Sequence, residues 1–535
     1  MSFVFNHAGE QQLSLFDSYN SLTEREKKFL AKSWAKYFAE HIFPKIDEQP
    51  YAVLYSDKDS RPNTPVNVQV GALIIKEITG LADDEILTAL MFDIRFQYAL
   101  HTTSFIEQPL SDRTLGRFRE RCSAYEEETG VDLLHNTIIS LSKEMARIME
   151  IDPSLKRMDS MMVASNIKKM GRLELLYTCV SNLAKEVSGT PGKLPEHLRH
   201  YTEADDRNRV IYHNHSEETS GKIAAILEDA SELKGLCADG YDESSSYHLL
   251  LRVLKEQAVQ NDDGSYRLRT KEDGGMNAGI LQNPADPDAT YREKAGKQNR
   301  GYAANVTEAS GENGSIVMDY QYEQNTHSDS QFLKDALEGM EKQEECVTLV
   351  TDGAYAGEAN EQLAAEKNVH LVTTNLTGRE AEDILADFAF SEDGRKVVKC
   401  PGGYEPKSCS YNQATGQCTV SFHKEHCNGC PHRKECHPKT FKRVCRKTVS
   451  ANSKQRAIQQ RFRKTDEFRI LSHFRNGVET IPSILRRKYK IDHMPVRGLV
   501  RSRLFFGCKI GAMNFMKFCR YMQEREKCAL AAANA

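Results

Sequence analysis

The 535-residue sequence contains no long apolar run, and its first ten residues show no basic stretch leading into an apolar one. Membrane spanning and secretion are therefore not expected, and a cytoplasmic location is. Also missing is any Ser/His/Asp or Cys/His pattern that would supply a protein nucleophile. With no leader the compartment should be reducing, and metal binding explains a cluster among the fourteen cysteines better than disulfides do. Acidic residues are scarce in one segment only. Residues 431–527 hold 26 Lys and Arg against 7 Asp and Glu, a charge of +19, which leaves −23 for the remainder of a chain whose net charge is −4. A solvated helical surface usually mixes both signs, so this imbalance points to a polyanionic partner. The length exceeds what one hydrophobic core supports, and roughly two to four domains are expected.

The stretch Cys346-Val-Thr-Leu-Val-Thr-Asp-Gly-Ala-Tyr-Ala-Gly357 reads as a buried strand that ends on a carboxylate, with Gly353 providing a sharp exit at positive φ. Asp352 could merely cap the following turn. Two further acidic positions favour another role. Asp159 lies inside a second strand-like run, residues 156–165, and Glu479 stands near the start of a basic helix read from residue 475 to 489. Carboxylates on two strands and a helix are the oxygen donors that Mg²⁺ or Mn²⁺ takes. Glu467 competes with Glu479, but Arg461, Arg463, Lys464 and Arg469 around it suit a salt-bridge role. Pro482 is tolerable if the helix starts near Val478, because proline costs little in a first turn.

In this order the motifs resemble those of the DDE-type transposases of bacterial insertion sequences. The resemblance rests on Leu110-Ser-Asp-Arg-Thr-Leu-Gly-Arg-Phe-Arg-Glu-Arg121, on Asp286-Pro-Asp-Ala-Thr-Tyr291 with Lys297-Gln-Asn-Arg-Gly-Tyr-Ala-Ala-Asn-Val306, on Asp352-Gly-Ala-Tyr355, and on Arg475 four before Glu479. Ser472 stands where the family has Tyr, and Arg486, seven after Glu479, where it has Lys. The resemblance implies an α/β fold: an RNase H-like mixed sheet with flanking helices, an all-α amino-terminal domain and a Cys-rich insertion. It implies Asp159, Asp352 and Glu479 as catalytic ligands of two Mg²⁺ or Mn²⁺ ions, DNA cleavage and strand transfer, and phosphate contacts from Arg475, Arg486, Arg487 and Lys488. Partners would be double-stranded DNA, as terminal repeats and target, and a second copy on the DNA, in a nucleoid-associated bacterial setting. A nuclease on the same fold and an inactive DNA-binding relative are the competing readings.

The domains are expected at 1–150 (helical, binding DNA ends), 151–395 (first part of the catalytic core, with a helical insertion at about 190–280), 396–447 (Cys-rich) and 448–535 (the rest of the core). Helical spacing covers residues 23–38, 68–78 and 83–98, with Gly80 as a stop and Asp83 as an N-cap, and Ser111 or Asp112 would cap a helix bearing Arg113, Arg117, Arg119 and Arg121. Those arginines suit a DNA contact or an amphipathic helix packed on the core. Residues 261–299 read as loop and turns, 329–338 as helix, and 301–307, 315–324 and 368–374 as strands. Seven cysteines fall between Cys400 and Cys445. Cys427-x-x-Cys430 is the usual knuckle of a structural zinc site, and Cys400, Cys427, Cys430 and Cys436 are the expected quartet, with Cys409, Cys418, His423, His426, His432 and His437 as competitors and metal-free thiols as the alternative.

Overall fold

The computed structural model describes residues 1–6, 17–56, 58, 60–190, 192–212, 216–294, 296–374 and 380–534; the amino-terminal stretch read for a leader lies partly outside them. The chain forms two compact units, one of Met1–Pro153, Ser160–Ser328 and Thr480–Ala535, the other of Ser154–Asp159 and Asp329–Glu479.

In the first unit, the helix Glu24–Ala31 starts at a Thr23/Glu26 capping box and ends before Ser33, whose hydroxyl donates to the Leu30 carbonyl at 2.6 Å. The continuous 23–38 helix is thereby divided, because a serine that satisfies a carbonyl offers the backbone an exit. Val66–Thr79 ends at Gly80 in the left-handed conformation. The next helix is capped by Ala82 and Glu85, and Asp83, expected as the cap, instead takes Lys76 and Arg119 as ionic partners. A 36-residue helix, Leu499–Asn534, packs on Val66–Thr79, on Leu133–Ile148 and on the strand Gly314–Gln324. Its buried Asn514 accepts from the Val317 amide at 3.0 Å and donates to the Val317 carbonyl at 2.8 Å, so a side chain satisfies backbone groups that would otherwise be buried and unpaired. Among the described residues no helix is long and apolar enough to cross a membrane.

The helices Arg172–Ser188, Thr219–Leu236 and Ser245–Gln257 share a core that includes Leu176, Val180, Leu227 and Leu250. The antiparallel strands Thr290–Lys294, Lys297–Gly311 and Gly314–Gln324 follow. Residues 261–299 are thus not all loop. Their β-branched and aromatic residues, such as Thr290 and Tyr291, pair with the next strand despite the turn-rich composition around them.

In the second unit three strands run parallel: Val347–Thr351 lies between Val369–Thr373 and the first residues of Leu155–Ala164. Val350 and Val372 form a buried cluster with Phe468 and Leu471 of the helix Asp466–Asn476, joined by Leu155, Phe462 and Phe474. The Cys-rich segment folds as a four-stranded antiparallel sheet in the order Ser408–Asn412, Gln417–His423, Val444–Val449, Lys439–Thr440. It shares an apolar core of Val397, Val420, Phe422 and Val449 with Leu385, Phe388 and Ala457.

Because Leu471 anchors the 466–476 helix to the parallel strands, Leu471→Ala should destabilise this unit by about 2–5 kcal/mol, seen as a lower midpoint in denaturant unfolding. An unchanged midpoint would contradict the packing.

Candidate active site

The parallel register pairs Leu155 with Thr348 and Arg157 with Val350. Two residues further along, Asp159 is level with Asp352, and alternation places both on the face that carries Arg157 and Val350. Val350 contributes to the cluster under the helix Asp466–Asn476, so this helix covers the acidic face. Arg475 is its penultimate residue, and a 3₁₀ turn, Gly477–Glu479, carries the chain on to Glu479. Arg475 therefore closes one helix and does not open the next, which begins at Thr480 with Pro482 in its first turn.

All three carboxylates meet at one guanidinium. Arg475 Nη2 lies 3.2 Å from Asp159 Oδ1 and 3.8 Å from Asp352 Oδ2, while Nη1 lies 3.0 Å from Glu479 Oε1. The Arg475 side chain is 12% exposed and that of Asp159 16%, against 31% for Asp352 and 64% for Glu479. The site is thus deep at the strands and open at Glu479. Asp352 also serves as the cap that its position suggested, since its other oxygen accepts from the Ala354 amide at 2.5 Å. Gly353 opens the 3₁₀ turn Gly353–Tyr355 and is not among the glycines of positive φ, so the exit from the strand turns right-handed. Glu467 is exposed in the first turn of its helix and Arg461 pairs with Asp383 and Asp387, so the salt-bridge partners expected for Glu467 include one that is engaged elsewhere.

One residue of this site escaped the sequence reading. Arg157, two before Asp159, donates to the Phe474 carbonyl at 2.5 Å and lies over the Phe474 ring at 4.9 Å. A Cβ on Gly477 would collide with its Nη1, so the guanidinium packs directly against the chain where it leaves the helix. Arg157 thereby fixes the helix end from which Arg475 and Glu479 project. The only signal available in the sequence was a basic residue at period two from Asp159 in a strand.

The other basic candidates are on the helix Thr480–Arg487 and just beyond it. Arg486, Arg487 and Lys488 are exposed. Arg486 pairs with Asp492 at 3.2 Å and donates to the Met162 carbonyl at 2.7 Å. Partial desolvation of its ammonium against the protein surface, followed by the charge of Arg520, lowers the pKa of Lys488.

In the Cys-rich sheet, Cys400, Cys427, Cys430 and Cys436 line one cavity with Tyr404 and His426. A Cβ on Gly402 would come 2.9 Å from Cys430 Sγ, so the loop after Cys400 wraps closely on that sulfur. Burial pushes the Cys427 thiol up to about 12, with Cys445, Cys400 and Cys436 adding to the shift. Cys445, on the strand Val444–Val449, was not among the expected ligands; it pairs with Phe422 across the sheet and is absent from the cavity lining, and it adds to the Cys427 shift. Cys409 and Cys418, free thiols that interact with each other on adjacent strands, are absent from the cavity lining. His432 lines the cavity as well, whereas His423 and His437 do not. Among the described residues no three His, Cys, Asp or Glu side chains are arranged as a metal-holding group, in this sheet or around Arg475.

Comparison with known families gives two matches. Residues 27–121 match the family described as "Transposase domain (DUF772)", and residues 399–519 match the "Transposase DDE domain". The second spans the Cys-rich sheet and Glu479, while Asp159 and Asp352 lie outside both. No curated protein matches the chain, and no solved structure does. The mixed α/β architecture agrees with the RNase H-like fold that a DDE domain implies. With transposase sequence near its amino-terminal end and a DDE domain toward its carboxyl-terminal end, the chain is similar in these two segments to the DDE-type insertion-sequence transposases.

Proposed function

We propose that the protein cuts DNA at the ends of an insertion sequence and joins them to a target, using Asp159, Asp352 and Glu479 as the catalytic carboxylates. The observation that carries this reading is their convergence on one cationic group, Arg475. The donor set fits hard cations. Its three ligands are carboxylates, and they already gather around a positive charge. Asp159 and Asp352 would hold Mg²⁺ or Mn²⁺ from the strands, and Glu479 from the open side. When bound, such ions supply charge stabilisation at the scissile phosphate and lower the pKa of an attacking water or 3′ hydroxyl.

The chain's own contribution is placement. The parallel strands set Asp159 and Asp352 level, Asp352 is held by its cap on Ala354, and the Arg157 contact holds the helix end that leads to Glu479. Arg486, Arg487 and Lys488 would grip backbone phosphates, which fixes register without reading bases. End recognition would then fall to the amino-terminal helices, with a second copy completing the assembly on nucleoid DNA. For the cysteines, four thiols on one cavity, with Gly402 leaving room for the Cys430 sulfur, have the donor chemistry of a structural zinc site.

Three outcomes test this reading. Asp159→Asn, Asp352→Asn and Glu479→Gln should each lower metal-dependent cleavage by several kcal/mol, on the order of 10²-fold or more, while DNA affinity stays near wild type. Full cleavage in any one variant removes that residue from the set, and cleavage without joining of a pre-cut 3′ end to a plasmid would make the protein a nuclease. Elemental analysis of protein purified without chelator should find about one Zn²⁺ per chain, and zinc-free folded protein would exclude the quartet. Replacing Arg486 and Arg487 together by Gln should make the slope of log affinity against log salt shallower by roughly 0.9 for each phosphate no longer gripped. A loss of stability with an unchanged slope would mean that these arginines serve only internal pairs such as Arg486–Asp492.

A further inference from the structure

Arg475 has two incompatible roles within reach. The sequence suggests a phosphate ligand, yet its guanidinium is directed at the carboxylates and is almost wholly enclosed. Its Nη2 is shared by Asp159 and Asp352, and its Nη1 binds Glu479, so it occupies the space in front of all three oxygens. A divalent cation needs those oxygens at roughly 2.0–2.6 Å, too close for an N–H group to remain between them. We propose that Arg475 is a built-in counter-ion that holds the carboxylates together until metal ions replace it, and that its displacement frees the guanidinium for the DNA backbone. The proposal rests on the metal-dependent reading above.

Charge supports an exchange over coexistence. Three carboxylates and Arg475 sum to −2, so the seated arginine leaves the cluster short of neutrality. Two divalent ions with Arg475 still in place would give +2, whereas two ions with Arg475 withdrawn give +1, which one phosphodiester neutralises. The seat is also incompletely satisfied: Arg475 Nε is buried with no hydrogen-bond partner, so leaving forfeits no bond at that atom. Two neighbours limit the motion to the side chain. Arg157 holds the carbonyl of Phe474, one residue before Arg475, and a Cβ at Gly477, two residues after it, would meet that same guanidinium. The backbone of the helix end is thereby fastened, so the departure of the guanidinium takes place by rotation about the χ angles of the long Arg475 side chain. A guanidinium released there presents a planar fork of donors suited to a phosphate, which reconciles the sequence expectation with the seat observed.

Mn²⁺ binding to the metal-stripped full chain without DNA, read from the spin-resonance signal of free Mn²⁺, separates the possibilities. Arg475→Gln should bind Mn²⁺ about tenfold more tightly than wild type or better, Arg475→Lys should fall between them, and Asp352→Asn should erase the gain. In chelator, Arg475→Gln should melt below wild type, because its carboxylates then repel one another unscreened, and Mn²⁺ should raise its melting temperature by more than it raises that of wild type. Equal or weaker Mn²⁺ binding by Arg475→Gln, with an Asp352-sensitive site still present, would overturn the counter-ion role and leave the metal reading intact. If Arg475→Gln does not fold, Arg475→Lys decides by the same comparison. No Asp352-sensitive Mn²⁺ binding in any of these proteins would overturn both.

Discussion

The contact of one guanidinium with three carboxylates organises the candidate site: Asp159 and Asp352 arrive from two separate strands, and Arg475 and Glu479 from one helix end and the turn after it. Bringing Asp159 and Asp352 within 4 Å of one nitrogen sets two like charges close together in a partly enclosed place. A cation between them offsets that repulsion. Arg475 supplies that cation in the protein itself, and the architecture of the second unit follows from delivering it. The strands must be parallel and in register for the two aspartates to stand level, and the 466–476 helix must lie across them for Arg475 to reach both.

The apolar and polar parts of this arrangement have separate tasks. Val350, Val372, Phe468 and Leu471 exclude water beneath the helix, each worth about 1.5–3 kcal/mol of burial, and this fixes the distance between helix and sheet. Burial has no direction, so it cannot decide where the helix ends. The helix ends at Gly477, and Arg157 meets that end through its hydrogen bond to Phe474 and its close approach to Gly477. In the Cys-rich sheet, likewise, Val420, Phe422 and Val449 supply a core that needs no metal, and the thiols line a cavity at its side.

Much of this was legible in the sequence, for a physical reason. The strand Val347–Thr351 and the helix Asp329–Glu338 have the bounds that β-branched density and helical spacing suggest, because in both the local preference and the tertiary environment agree. What could not be read depends on contacts between distant residues. Arg157 and Phe474 are 317 positions apart, and no local pattern announces their bond. Arg475 was assigned to the following helix although Gly477, which ends the helix Asp466–Asn476, stands two residues after it as a stop signal. Cys445 stood outside the metal-ligand spacing, and its approach to Cys427 joins a strand to the helix Lys424–Asn428, a contact that no local spacing announces. The strand Thr290–Lys294 was hidden by turn-forming neighbours on either side.

The central claim is that Asp159, Asp352 and Glu479 form a metal site guarded by Arg475. Crystals of the full chain grown with Mn²⁺ and a cleaved DNA end, measured at a wavelength where manganese scatters anomalously, test it most directly. The account predicts an anomalous peak bounded by the three carboxylates, with the Arg475 guanidinium turned away toward a DNA phosphate. A peak elsewhere, with Arg475 still seated between Asp159 and Asp352, would contradict it.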